Sequence, residues 1–295
     1  ENLSSTIAKP RRCRTLELDT TDRFLFDRGQ VNIVIVPCRL TNRWSLSIMY
    51  RHLLLIVVVL AFHVSPLLHA ETPDGFVSLF DGKTFAGWKI PEGDNGHWKI
   101  IKGVIDYDAS SEAPEDKNLW SEKEYGNFVL LVDWRIKDTP YINPRVPIVM
   151  PDGTHKLGAD GKAIQTSVPD SDSGIFLRGV GKSQVNIWCW PIGSGEVYGY
   201  RMDQSMTPEV RAGVTPKTNA DNNIGQWNTF ELTMREDRLS VKLNGQQVLK
   251  DAQLPGIPSR GRIALQHHGG KDKEGNWRSP PALVQFRNIA IKDLD

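Results

Sequence analysis

The chain has 295 residues, with 36 Lys and Arg against 35 Asp and Glu and a formal net charge of +1. That balance, without a basic run of the kind that tracks phosphates, argues against a nucleic-acid surface. Polar neutral partners, carbohydrates among them, fit it better.

Residues 1–48 start with Glu1, carry scattered charges and Cys13 and Cys38, and show no period. They are expected to be an upstream extension outside the mature fold. Residues 49–70 have a basic start (Arg51, His52), an apolar centre from Leu53 to Phe62 and a small residue, Ala70, before polar sequence, which is the layout of a secretory signal peptide. The apolar run is shorter than the roughly 20 residues of a membrane span, so no stable span is expected after cleavage. The mature domain, 71–295, is then expected in the periplasm or outside the cell. If Met49 is the start, Cys189 is its only cysteine, and stability must come from a core, which about 225 residues can build.

From residue 71 onward, short apolar or alternating runs are punctuated by glycine, proline and asparagine, and no helical stripe of ten residues stands out. Strands are predicted over 76–80 and 85–90 around the turn Asp81-Gly82-Lys83. A hairpin follows over 97–101 and 104–107, joined through Lys102-Gly103, with a further strand over 118–122. Residues 128–137 alternate most cleanly, with Phe128, Leu130, Val132, Trp134 and Ile136 on one side. The proline- and glycine-rich segment 138–172 reads as an inserted flap. Strand pattern returns over 174–178 and again from 184. Residues 202–225 read as a long polar loop. Strands over 227–235 and 239–243 lead to Asn244-Gly245, a type I′ hairpin signal, and 261–268 and 283–291 complete the chain. A dozen or so short strands without helices predict an all-β fold, a two-sheet sandwich or jelly roll.

Residues 184–201 gather the candidate chemistry. Strand parity puts Gln184, Asn186, Trp188 and Trp190 on one face, and a Gly-Ser-Gly turn leads to Glu196, Tyr198, Tyr200 and Arg201. A pyranose stacks its C–H faces on aromatic rings and pairs its hydroxyls with amides and charges, which this set supplies. The same residues would equally suit a buried aromatic strand end. In 261–268, Ala264, Gln266 and His268 share one side.

The motifs Leu79-Phe80-Asp81-Gly82-Lys83 with Trp88, Gly174-Ile175-Phe176-Leu177-Arg178, Leu265-Gln266-His267-His268-Gly269 and Phe286-Arg287-Asn288-Ile289 occur in that order. Through them the chain resembles the 3-keto-disaccharide hydrolase family. The resemblance implies a concanavalin A-like jelly roll of two antiparallel sheets, export, and hydrolysis of 3-keto-glycosides. In the commoner family pattern a glutamate stands where this chain has Gln184.

A ketone at C3 acidifies the hydrogen at C2, so a base can remove it while the glycosidic oxygen leaves C1. His268, which matches the family histidine, or Glu196 is the candidate base, and the other titrating group the proton donor. Arg178, with Asn186 or Gln184, is the candidate partner for enolate charge. Gln184, Asn186, Trp188, Tyr198, Tyr200, Arg201 and Gln266 are candidate substrate contacts. Each has a plainer alternative: Glu196 as a solvated loop charge, Arg178 paired with Glu196 or Asp172, the aromatic rings as core. No cofactor is expected; Asp170, Asp172 or the run Asp221-Asn222-Asn223 could offer oxygens to a calcium-type ion, but none follows a calcium-loop spacing. The alternative function is a non-catalytic carbohydrate-binding module of the same fold.

Overall fold

A computed structural model describes residues 72–295, so the expected extension and signal peptide lie outside the described residues. Strict alternation makes β6 (Phe128–Ile136) a strand with every second side chain buried. It sits centrally in the larger antiparallel sheet. There β6 pairs on one side with β11 (Asn228–Arg235), followed outward by β12 (Arg238–Leu243) and β13 (Gln246–Gln253). On its other side lie β17 (Val284–Asp293), β4 (Val104–Tyr107) and β3 (Trp98–Ile101), with β1 (Val77–Ser78) also on β17. The smaller antiparallel sheet runs β10 (Val180–Ile187), β9 (Ser173–Leu177), β14 (Gly261–Leu265), β5 (Leu119–Tyr125) and β2 (Trp88–Lys89).

The core fills the space between the sheets. Leu130, Val132, Trp134, Phe230 and Leu232 from the larger sheet meet Leu119, Ile175, Val185, Ile263 and Leu265 from the smaller. The fold is the predicted all-β, concanavalin A-like sandwich of two antiparallel sheets. Asn244 and Gly245 both take positive φ, 53° and 79°, as the hairpin signal required. The strand that follows, β13, has a bulged register against β12, which blurs its period in sequence.

Two segments border the site, the expected flap and the segment expected to be a polar loop. The flap 138–172 is a long arm in which β7 (Tyr141–Pro147) pairs with β8 (Gln165–Asp170) and two isolated bridges extend it. The polar segment after residue 197 contains two short helices, α1 (Tyr198–Met202) and α2 (Pro208–Gly213). In α2, Thr207 is the N-cap, accepting from the Val210 amide at 3.4 Å, and Pro208 opens the helix, so Thr-Pro-Glu is a local start signal despite the polar composition. Among the described residues no helix is long and apolar enough to cross a membrane.

Candidate active site

Register turns the outer face of the smaller sheet into a row. Lys89 pairs with Trp120, Trp120 with Ala264, Ala264 with Phe176, and Phe176 with Gln184, so these five side chains cross the sheet from β2 to β10 on the face opposite the core. Trp120 and Phe176 are stacked within the row, ring centroids 5.8 Å apart and planes 13° from parallel. Neither was singled out by sequence, because each lies in a short strand with no repeat to fix its parity.

Beside this row β9 carries Gly174, and the absence of a side chain there is structural. A Cβ would lie 2.5 Å from Gln184 Nε2 and 2.8 Å from the Val185 carbonyl oxygen. Gln184 therefore folds across Gly174, donating from Nε2 to the Ser173 carbonyl at 3.1 Å and to Gln266 Oε1. The Gln266 backbone amide donates to the Gly174 carbonyl at 2.9 Å. Gln184 and Gln266, expected on a shared wall, form one amide pair.

At the end of this wall Pro280 and Pro281 bind two titratable residues to the same segment. His268 Nδ1 lies 2.6 Å from the Pro280 carbonyl, and the Asp172 amide donates to the Pro281 carbonyl at 3.3 Å. Gly269 makes the reversal to this segment, at φ 105°, where a Cβ would come 2.8 Å from Pro281 Cα. A carbonyl only accepts, so Nδ1 carries the proton and Nε2 of the neutral ring keeps its lone pair. Nε2 has no hydrogen-bond partner among the described residues. Burial pushes the Asp172 carboxyl up to about 7, with the His268 charge pulling it back and Asp170 adding to the rise. Its Oδ1 is shut off from water without a partner. Asp172 and His268 are thus tied to one segment as candidate acid–base groups. In sequence Asp172 is one aspartate at the end of a charged loop, with only its place two residues before the Gly174–Arg178 motif to mark it.

Asp170 holds the root of the flap. It accepts from Asn143 Nδ2 at 2.9 Å, the Cys189 amide at 3.3 Å and Trp190 Nε1 at 3.2 Å, and burial raises its carboxyl. The Cys189 thiol is pushed up to about 12 by burial and stays un-ionised at neutral pH.

The other sequence candidates are placed elsewhere. Arg178 is buried with positive φ, 50°, which turns it off the sheet face. Its Nε and Nη2 donate to Gly126 O, and Nη1 to Glu236 O and Pro258 O, so the fork that was to hold an enolate holds backbone carbonyls instead. Glu196 and Arg201 are both buried and ion-paired through Oε1 and Nε, and Arg201 Nη1 reaches His155 Nε2 of the flap at 3.2 Å. Burial pushes the Glu196 carboxyl up against the pull of Arg201. Sealed in this way, neither can touch a ligand lying on the outer face. Tyr200 is buried and donates to the Pro255 carbonyl at 3.2 Å.

Asn186 is buried, its amide and carbonyl bonded to Glu196 and Gly195, which extend the sheet edge beyond β10. Trp188 is buried against Trp190, centroids 4.1 Å apart, and its Nε1 donates to the Gly193 carbonyl at 2.7 Å. Tyr198 is exposed and meets both indoles edge-on. No group of three or more His, Cys, Asp or Glu suited to a metal ion occurs among the described residues.

Neutral amides and a stacked aromatic pair on the outer sheet face, with His268 and Asp172 at its end, suit a polyhydroxylated, uncharged ligand, and the domain is of a carbohydrate-active class. Residues 75–292 match the family described as the 3-keto-alpha-glucoside-1,2-lyase-like domain, and the chain belongs to that family. Among solved structures it is similar to two proteins of Parabacteroides distasonis, each provisionally described as a glycosyl hydrolase. One is 19% identical with a TM-score of 0.49, over 75% of this chain and 85% of that one. The second is 20% identical with a TM-score of 0.45, over 75% and 94%. The carbohydrate-binding module CBM66 of Bacillus subtilis is 13% identical with a TM-score of 0.33, over 70% and 96%. No curated protein matches the chain.

Proposed function

We propose that this domain cleaves 3-keto-glycosides by 1,2-elimination, with His268 as base and Asp172 as proton donor, and that it does so as an exported protein. The observation that carries the reading is the Pro280-Pro281 clamp, which orients the His268 ring through Nδ1, leaves Nε2 without a protein partner, and ties to the same segment a carboxyl that burial raises to about 7. Nε2 takes the proton from C2, the released pair forms the C1=C2 bond through an enolate, and the glycosidic oxygen leaves C1 with the proton of Asp172. Addition of water across the new double bond completes a net hydrolysis. Gln266 Nε2, which has no protein partner, supplies a donor to the enolate oxygen, and its Oε1 is held in place by Gln184. Arg178 and Glu196 have no part in this chemistry.

The family's 1,2-lyase-like description supports elimination over a two-carboxylate displacement. The test incubates the protein with a 3-keto-disaccharide and its unoxidised parent and follows monosaccharide release. Release from the oxidised sugar alone is expected, and His268→Ala lowers kcat by about 10² to 10⁴. Full activity of His268→Ala would remove the base from this scheme. Gln184, an amide that cannot titrate, favours the binding-module reading. Binding of both sugars without release from either would establish that reading instead.

A further inference from the structure

We infer that the outer face continues past Trp120 into a second carbohydrate subsite, so that the ligand is a neutral oligosaccharide lying across the smaller sheet from β10 to β2. The inference rests on the reading that this face binds sugar. Strands lie about 4.8 Å apart, so the row from Gln184 to Lys89 spans about 19 Å, longer than one pyranose ring. At its β2 end the face opens into a cleft of about 980 Å³, lined by Lys89, Glu92, Asp116, Trp120 and Arg262 among others. That is near the top of the roughly 300–1,000 Å³ of small-molecule sites.

Trp120 belongs to both the row and the cleft, and it is fixed. Its Nε1 donates to Asp116 Oδ2 at 2.5 Å while its ring stacks on Phe176. A ring held at its edge and supported on one side presents a rigid apolar plane, which stacks on a sugar with little loss of side-chain entropy. Around it, the side chains of Lys89, Glu92 and Arg262 are exposed and make no hydrogen bond or ion pair among the described residues, leaving donors and acceptors free for hydroxyls. The cleft mixes cations with carboxylates, so no net field selects a charged glycan.

The test is calorimetric titration of the full chain with neutral gluco-oligosaccharides of two to five units, unoxidised so that no cleavage intervenes. Affinity is expected to rise at least tenfold from the disaccharide to the tetrasaccharide, and Trp120→Ala to abolish the gain. The exposed double change Lys89→Ala with Arg262→Ala, which leaves the packing untouched, is expected to reduce it severalfold. Equal affinity at every length, or a gain that survives both sets of changes, would overturn the inference. His268→Ala is expected to lose cleavage of a 3-keto-disaccharide while keeping the length dependence. Length-dependent binding by a wild-type chain that cleaves nothing would leave the subsite standing and remove the catalytic reading.

Discussion

On the outer face of the smaller sheet, His268, Asp172, Gln184 and Gln266 are only partly buried and retain atoms without protein partners. Behind β10, Glu196 and Arg201 are closed in against the flap, and at the far end of β9 the Arg178 fork is filled by carbonyls. The two regions use the same kinds of residue, and both keep unpaired atoms, Glu196 Oε2 and Arg201 Nη2 among them; what separates them is access, since the first is partly exposed and the second is fully buried. A charge closed in with its partner away from solvent holds the fold together. A titrating group held by one atom and free at another can exchange a proton with a ligand.

The largest effect on stability that would test this division is at Arg201. Arg201→Met leaves Glu196 buried without its partner and is expected to cost about 3–5 kcal/mol, read from urea unfolding. Turnover per folded molecule is expected to stay the same. A variant of unchanged stability whose turnover collapsed would move Arg201 from the sealed region to the reacting one.

Asp172→Asn sharpens the other side. The unfolded carboxyl gives up its proton near 3.8, whereas the folded one holds it to about 7. The folded state therefore binds more protons between those values, and stability falls as pH rises through that window, its contribution being complete only below the lower value. Asn cannot titrate, so the unfolding midpoint of Asp172→Asn is expected to decline less than that of the wild type between pH 4 and pH 7. Taking the difference between the two proteins cancels the parallel effect of Glu196, whose carboxyl burial also raises, and leaves the coupled Asp172 and Asp170 contribution. Parallel curves would mean that Asp172 is in ordinary contact with water.

Much of the scaffold is legible in the sequence. The alternation of β6 and the Asn244-Gly245 turn are local signals, read within a few residues of where they act. The amide pair was legible in part, since parity put Gln184 and Gln266 on strand faces, though their pairing across β9 needed Gly174 to be bare. Arg178 reads as a candidate partner for enolate charge because nothing local in sequence reveals that its backbone turns left-handed and delivers its fork to the carbonyls of Gly126, Glu236 and Pro258. Glu196 reads as a candidate base and Arg201 as a substrate contact because nothing in sequence reveals that they pair in the interior, with His155, over forty residues earlier, bonded to Arg201. Asp172 acquires its role only through Pro281, more than a hundred residues later. Long-range partners decide availability, and periodicity carries no information about them.

The smallest expected effect tests how finely the open face is fitted. Gly174→Ala puts a methyl against two neighbours of different compliance, since Gln184 can swing away and the Val185 carbonyl cannot. Overpacking of this kind costs about 1–3 kcal/mol. Adding Gln184→Ala removes the first contact but not the second, so the double variant is expected to recover part of the loss, as a non-additive term in a double-mutant cycle. Both variants are expected to bind saccharide more weakly, because each removes or displaces the amide that holds Gln266 in place. If Gly174→Ala bound sugar as the wild type does, the amide pair would be holding the sheet together, and ligand recognition would rest on Trp120 and the candidate acid–base groups.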